Sequence, residues 1–160
     1  SDPALFHRVL DCYAQQLAPP RFDRIAGIPY GSLPTATGLS LQLHKPLIYP
    51  RKEVKAHGTR RLVEGEFNEG DTVAVVDDIL ITGGSVLDGI GKLTGSGLRV
   101  NDVVVFLDHG GRHDPRAKQR LTQQGLRLHA VLTLETIRDI LEDAGRITAE
   151  QARELCATDP

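Results

Sequence analysis

Methionine is missing from all 160 residues, the first position included, as expected of a fragment or a processed chain. Cysteine is scarce. Cys12 and Cys156 stand far apart with no CxxC spacing, which excludes a disulfide framework and a thiol-based zinc site. Two reduced thiols suit the cytoplasm. No apolar run approaches the ~20 residues that a membrane span needs, and no charged-then-apolar leader opens the chain. An excess of one charge is also lacking: 19 Lys and Arg against 21 Asp and Glu leave a net charge of −2. That balance offers no basic footprint for nucleic acid. There is no GxxxxGK[ST], hence no P-loop. "GIGKLTG" at 89–95 misses GxGxxG by one residue and falls within an expected helix, so it is not read as a dinucleotide fingerprint.

What is present is the composition of an ordinary globular chain, 40% hydrophobic and 25% charged, long enough for one core of its own. A single domain over residues 1–160 is expected. Short apolar strands alternate with amphipathic helices, which predicts an α/β fold with a mostly parallel central sheet and flanking helices. Leu5, Val9, Leu10, Tyr13 and Leu17 at helical spacing predict a helix over 3–17, with Pro3 in its first turn. "DRIAGIP" reads as a strand and turn leading into a helix that ends near Leu43. "KPLIYP" reads as a second strand between prolines. Residues 73–76 predict a third strand, 84–97 a glycine-rich helix of weak propensity, and 102–108 a strand buried on both faces. "LRLHAVLTL" at 126–134 closes the sheet. Two helices follow, "ETIRDILEDAG" and "TAEQARELC", the second opening on a Thr148–Gln151 capping box.

Residues 51–70 do not fit that pattern. Roughly twenty mostly polar residues separate two strands, a length usual for a functional lid or a disordered segment. Arg51, Lys52, Lys55, Arg60 and Arg61 gather with His57 in its first half. The plain alternative is a solvated charged loop.

"VAVVDDILITGGS" at 73–85 carries the chemistry. Four apolar residues run into Asp77 and Asp78, and Thr82-Gly83-Gly84-Ser85 follows. In open α/β sheets ligands bind beyond the carboxyl ends of the strands. Carboxylates there accept strong hydrogen bonds from vicinal hydroxyls, as on a ribose. Neighbouring strand residues point to opposite faces, so the two acids should differ in role unless the turn begins there. Glycines let the main chain approach a phosphate, whose charge the next helix start favours. One crevice would hold a ribose 5-phosphate by both ends. A strand-to-helix turn with an Asp cap explains one acid, but not two and the glycine turn.

This motif resembles the phosphoribosyl-pyrophosphate (PRPP) motif of the type I phosphoribosyltransferases. "RKEVKAHG" ahead of it is similar to the basic loop of orotate phosphoribosyltransferases, and "AGIPYGSLP" at 26–34 to their pyrophosphate loop. "RLHAVLTL" with the closing helices resembles the orotate domain of UMP synthases. The resemblance covers nearly the whole chain. It implies the type I phosphoribosyltransferase fold without its amino-terminal hood, a mobile loop at about 51–70, and transfer of a phosphoribosyl group from PRPP to orotate. Asp77 and Asp78 would bind the ribose hydroxyls, with Mg²⁺ bridging them to pyrophosphate. Thr82, Gly83, Gly84 and Ser85 would cradle the 5-phosphate, with Ile79, Leu80 and Ile81 also in contact with substrate. Arg51, Lys52 and His57 would meet the phosphates, with Lys55 as the catalytic loop lysine. Tyr30 and Gly31 would line the pyrophosphate at a cis peptide. In the family this loop closes over the partner subunit's site, which implies a homodimer with residues 51–61 reaching across.

Three positions depart from the pattern. Gly31 stands where the family often has lysine, and Ile81 where it has a small hydroxyl residue. Asp108-His109 replaces an Asp-Arg pair whose arginine binds the orotate carboxylate, which places His109 at that substrate-binding position. A neutral imidazole cannot replace a guanidinium; Arg112 is the nearby candidate. Two alternatives follow from His109 and the missing hood: transfer to another base, or a domain that binds phosphoribosyl ligands without catalysis. The attacking atom would be a ring nitrogen of the base, so no protein nucleophile is required. His7, His44, His113 and His129 read as surface or packing residues.

Overall fold

Val73, Ala74, Val75 and Val76 are almost wholly withdrawn from solvent, and they define the centre of the molecule. The computed structural model describes residues 2–19, 21–53, 61–109, 114 and 116–157. These form, in order, α1 (Pro3–Gln16), β1 (Arg24–Gly27), α2 (Leu33–Leu43), β2 (Leu47–Pro50), β3 (Val63–Glu64) and β4 (Thr72–Leu80). Then follow α3 (Gly84–Thr94), β5 (Arg99–Asp108), α4 (Ala117–Gln123), β6 (Arg127–Thr133), α5 (Leu134–Asp143) and α6 (Ala149–Cys156). The sheet runs β3-β2-β1-β4-β5-β6, parallel throughout except for β3 against β2.

The period of two along β4 divides the core between the two faces. Val73 and Val75 pack with Val86, Ile90 and Leu93 of α3 and Leu121 of α4. Ala74 and Val76 pack on the other side with Leu10 and Tyr13 of α1 and Ala36 and Leu39 of α2. Each such buried aliphatic side chain larger than alanine contributes about 1.5–3 kcal/mol. Among the described residues no helix is long and apolar enough to cross a membrane.

Several boundaries differ from expectation. The strand expected at 73–76 continues to Leu80, because the longer β5 still pairs with it: Asp77 lies opposite Val105 and Ile79 opposite Leu107. The acids therefore belong to the strand, not to the turn after it. The helix expected to reach 97 stops at Thr94, where Gly95 and the positive-φ Gly97 lead into a turn closed by Leu98 N–H on Leu93 O. β6 is half-buried at every position after Arg127, without the expected alternation, as suits an edge strand packed by helices. The second half of the 51–70 segment is built into the fold. Val63 is buried, β3 pairs with β2, and Leu62 and Phe67 pack on the core. The Thr148–Gln151 capping box is present, with both of its hydrogen bonds.

At the amino-terminal half of β5 and β6 an ionic cluster joins the two strands. Asp102 accepts two bonds from Arg127, at 2.8 and 2.7 Å, and pairs with His129 Nε2 at 2.8 Å. Burial alone would raise the Asp102 carboxyl, but the bonds from Arg127 and His129 outweigh it and hold it below the usual range.

Candidate active site

Beyond the carboxyl ends of β1 and β4 opens a cavity of about 350 Å³. It is lined by Pro29 and Gly31 after β1, by Asp77, Asp78 and Ile79 of β4, and by Ile81 with Thr82, Gly83, Gly84 and Ser85 leading into α3. Both acids line it, although they are neighbours on a strand.

The two carboxylates are not equivalent. Asp77 is 7% exposed, and its Oδ1 accepts the Asp78 N–H at 3.0 Å. Burial pushes its carboxyl up to about 7; the Asp78 N–H works against that rise and the Asp78 charge adds to it. Asp78 is exposed, with Oδ1 accepting from the Ile79 N–H at 2.8 Å. From behind, the Tyr13 hydroxyl donates to the Asp77 carbonyl at 2.8 Å, across the core from α1. Burial first, then the charges of Asp78 and Asp77, holds that hydroxyl well above its ordinary range, so it stays a donor.

The turn that leads into α3 contributes main chain to the lining. Gly83, at φ 74°, turns the chain into α3 in a left-handed conformation that glycine adopts without steric cost. No side chain caps α3, and only a long 3.4 Å bond links Gly84 N–H to Thr82 Oγ1. A helix start with free amides attracts an anion. Arg120 of α4 steadies the turn by donating to the Thr82 carbonyl and, at 2.6 Å, to Asp114.

At the mouth, the Pro29–Tyr30 peptide is cis, and Tyr30 is 68% exposed with Lys52 Nζ 5.2 Å from its ring centre. Arg51 pairs with Glu64 on β3. Lys55 and His57, like Arg112, lie outside the described residues. Of the described sequence candidates, Tyr30, Arg51, Lys52, Leu80 and His109 do not line this cavity; Arg51 and Lys52 border a smaller one beside it. Leu80 is buried in the core, 2% exposed, because the extended β4 carries it under α3 and α4. His109, half-buried, donates its N–H to the Leu80 carbonyl just beyond β5. Sequence reasoning had no means of finding Tyr13 or Arg120 as supports, since each acts on a residue distant in the chain.

Among the described residues no three His, Cys, Asp or Glu side chains come together as a metal cage. A pair of carboxylates alone fits magnesium, which takes one or two and completes its shell with water and substrate phosphates.

No protein-family model matches the chain. Over 157 residues, 98% of its length, it is 55% identical to the bifunctional enzyme PyrF/PyrE of a Nostoc species, of which it spans 32%. Over 154 residues, 96% of its length, it is 36% identical to the orotate phosphoribosyltransferase of Pyrobaculum islandicum, of which it spans 77%. The solved structure of Leishmania donovani UMP synthase matches with a TM-score of 0.82 at 36% identity, covering 96% of this chain and 32% of that one. The chain thus spans about a third of the length of the Nostoc, Bos taurus and Caenorhabditis elegans relatives named as bifunctional enzyme or uridine 5'-monophosphate synthase.

Proposed function

The chain belongs to the orotate phosphoribosyltransferase family, and on that footing we propose that it transfers the phosphoribosyl group of PRPP to orotate, giving orotidine 5'-monophosphate and pyrophosphate in pyrimidine biosynthesis. One observation carries the reading. A single cavity is lined both by two carboxylates and by an uncapped helix start, as a sugar phosphate requires.

In the reaction the bond from ribose C1 to the pyrophosphate oxygen breaks, and a bond from C1 to a ring nitrogen of the base forms. Positive charge grows on the sugar while negative charge grows on the leaving group. Asp77 and Asp78 accept from the ribose hydroxyls and hold C1 in line. The amides of residues 82–85 bind the 5-phosphate, so the far end of the donor is fixed before the bond breaks. Arg51 and Lys52, with Lys55 and His57 by resemblance, offset the charge on pyrophosphate. Mg²⁺ held by Asp77 and Asp78 would add positive charge at that leaving group. Tyr30 and Gly31 border the same end.

The resemblance also supports a homodimer with residues 51–61 reaching the partner, and the two free thiols support a cytoplasmic setting. His109, where the family pattern has arginine, favours a second reading, transfer to a base without the orotate carboxylate. Pyrophosphate release from PRPP and Mg²⁺ with a panel of bases decides between them. Release with orotate alone supports the first reading, and release with another base the second. Donor binding without release points to a non-catalytic domain.

A further inference from the structure

A lysine on α3 has all of its donors committed. Lys92 Nζ donates to the Arg51 carbonyl at 2.9 Å, to the Lys52 carbonyl at 3.4 Å and to Asp88 Oδ2 at 2.7 Å. An ammonium has three donors, so none is left for a ligand. Its side chain is only 17% exposed. The anchored segment is also held from the sheet side, where the Arg51 N–H donates to the Leu62 carbonyl at 2.8 Å and the guanidinium pairs with Glu64.

The arrangement has a direction. The helix that carries Lys92 is the one whose first residues, Gly84 and Ser85, line the candidate phosphate cradle. Lys92 lies eight helical steps beyond Gly84, about 12 Å along the helix. A second cavity, of about 90 Å³, lies between the cradle and the anchored segment, bounded by Ser85, Asp88, Lys92, Arg51 and Lys52. It meets the larger cavity at Ile28, Pro29 and Ser85.

We propose that Lys92 is a positioning residue for the phosphoribosyl donor: by gripping the main chain of Arg51 and Lys52 it sets their distance from the phosphate cradle. The donor's 5-phosphate and its pyrophosphate then meet two binding elements held in register by one helix. This rests on the function proposed above. Lys92 touches no reacting atom and exchanges no proton.

Lys92→Met keeps most of the side-chain length and removes all three donors. Steady-state rates of the whole chain are measured against PRPP and against orotate separately. Loss of the anchor raises the KM for PRPP about tenfold, the worth of one charged hydrogen bond, while the KM for orotate stays within about twofold. Lys92→Arg recovers part of the loss, because it restores charged donors. An unchanged PRPP KM, or an equal rise in both constants, overturns the proposal. Should Lys92→Met fail to fold, Lys92→Leu, which also lacks every donor, replaces it under the same criteria. If the unaltered chain releases no pyrophosphate, the functional reading fails by itself. The anchor is then judged by calorimetric binding of PRPP, where weaker binding by the variant supports it and equal binding overturns it.

Discussion

Asp78 occupies the space that a side chain at residue 31 would need: its Oδ2 lies 2.7 Å from where a Cβ on Gly31 would stand. Real Cβ contacts essentially never come that close. Gly31→Ala must therefore push the carboxylate aside. The displaced atom is the far end of a flexible side chain, so the thermal midpoint should stay within about 3 °C, equivalent to about 1 kcal/mol. The KM for PRPP should rise about tenfold, as one charged hydrogen bond to the ribose is lost. A variant with unchanged kinetics would remove Asp78 from the ribose site.

Tyr13→Phe deletes the hydroxyl that reaches the Asp77 carbonyl from α1. The buried bond should cost about 1–2 kcal/mol, read as a lower urea midpoint at an unchanged m-value. Activity should fall with it, since the affected carbonyl belongs to the main chain of the buried acid.

Arg120→Met frees the Thr82 carbonyl and leaves Asp114 without its 2.6 Å partner. The turn into α3 loses a support while its own residues are untouched. Weaker binding of PRPP, by about threefold to tenfold, is expected from the loss of a charged donor. Equal affinity in calorimetry would show that the turn needs no help.

The Asp102 cluster sets an acid limb on stability. Its carboxyl is held low in the folded chain, so the native state favours the charged form. Such a group contributes stability above its unfolded pKa of about 3.9, and that contribution is lost as pH falls through the folded value. Asp102→Asn should therefore be less stable than the parent at pH 7, and the gap should close below about pH 4. Urea titrations at the two pH values test this; a gap independent of pH would assign the loss to packing.

The apolar runs announced most of the sheet, because strands buried on both faces must be apolar whatever surrounds them. The acids and glycines at 77–85 announced the cleft, because few structural needs place those residue types together. β3 escaped notice since two residues, Val63 and Glu64, carry no period. α4 escaped since only Ala117 and Leu121 of its seven residues are buried. The sequence pattern makes β4 too short, because Asp77 and Asp78 look like a strand end while the pairing that extends it is supplied by β5. The supports were hidden for the same reason: Tyr13 and Asp77 are 64 positions apart, and Lys92 and Arg51 are 41. Local pattern cannot report a partner so distant.

The bare beginning of α3 has a bearing on how this chain can diverge. Where an anion is recognised by peptide groups, there is no side chain whose exchange abolishes recognition. Side chains at 81, 82 and 85 are then less constrained than the backward bend at Gly83, which needs its positive φ. Specificity for the incoming base can be rewritten around such a fixed anchor without rebuilding it.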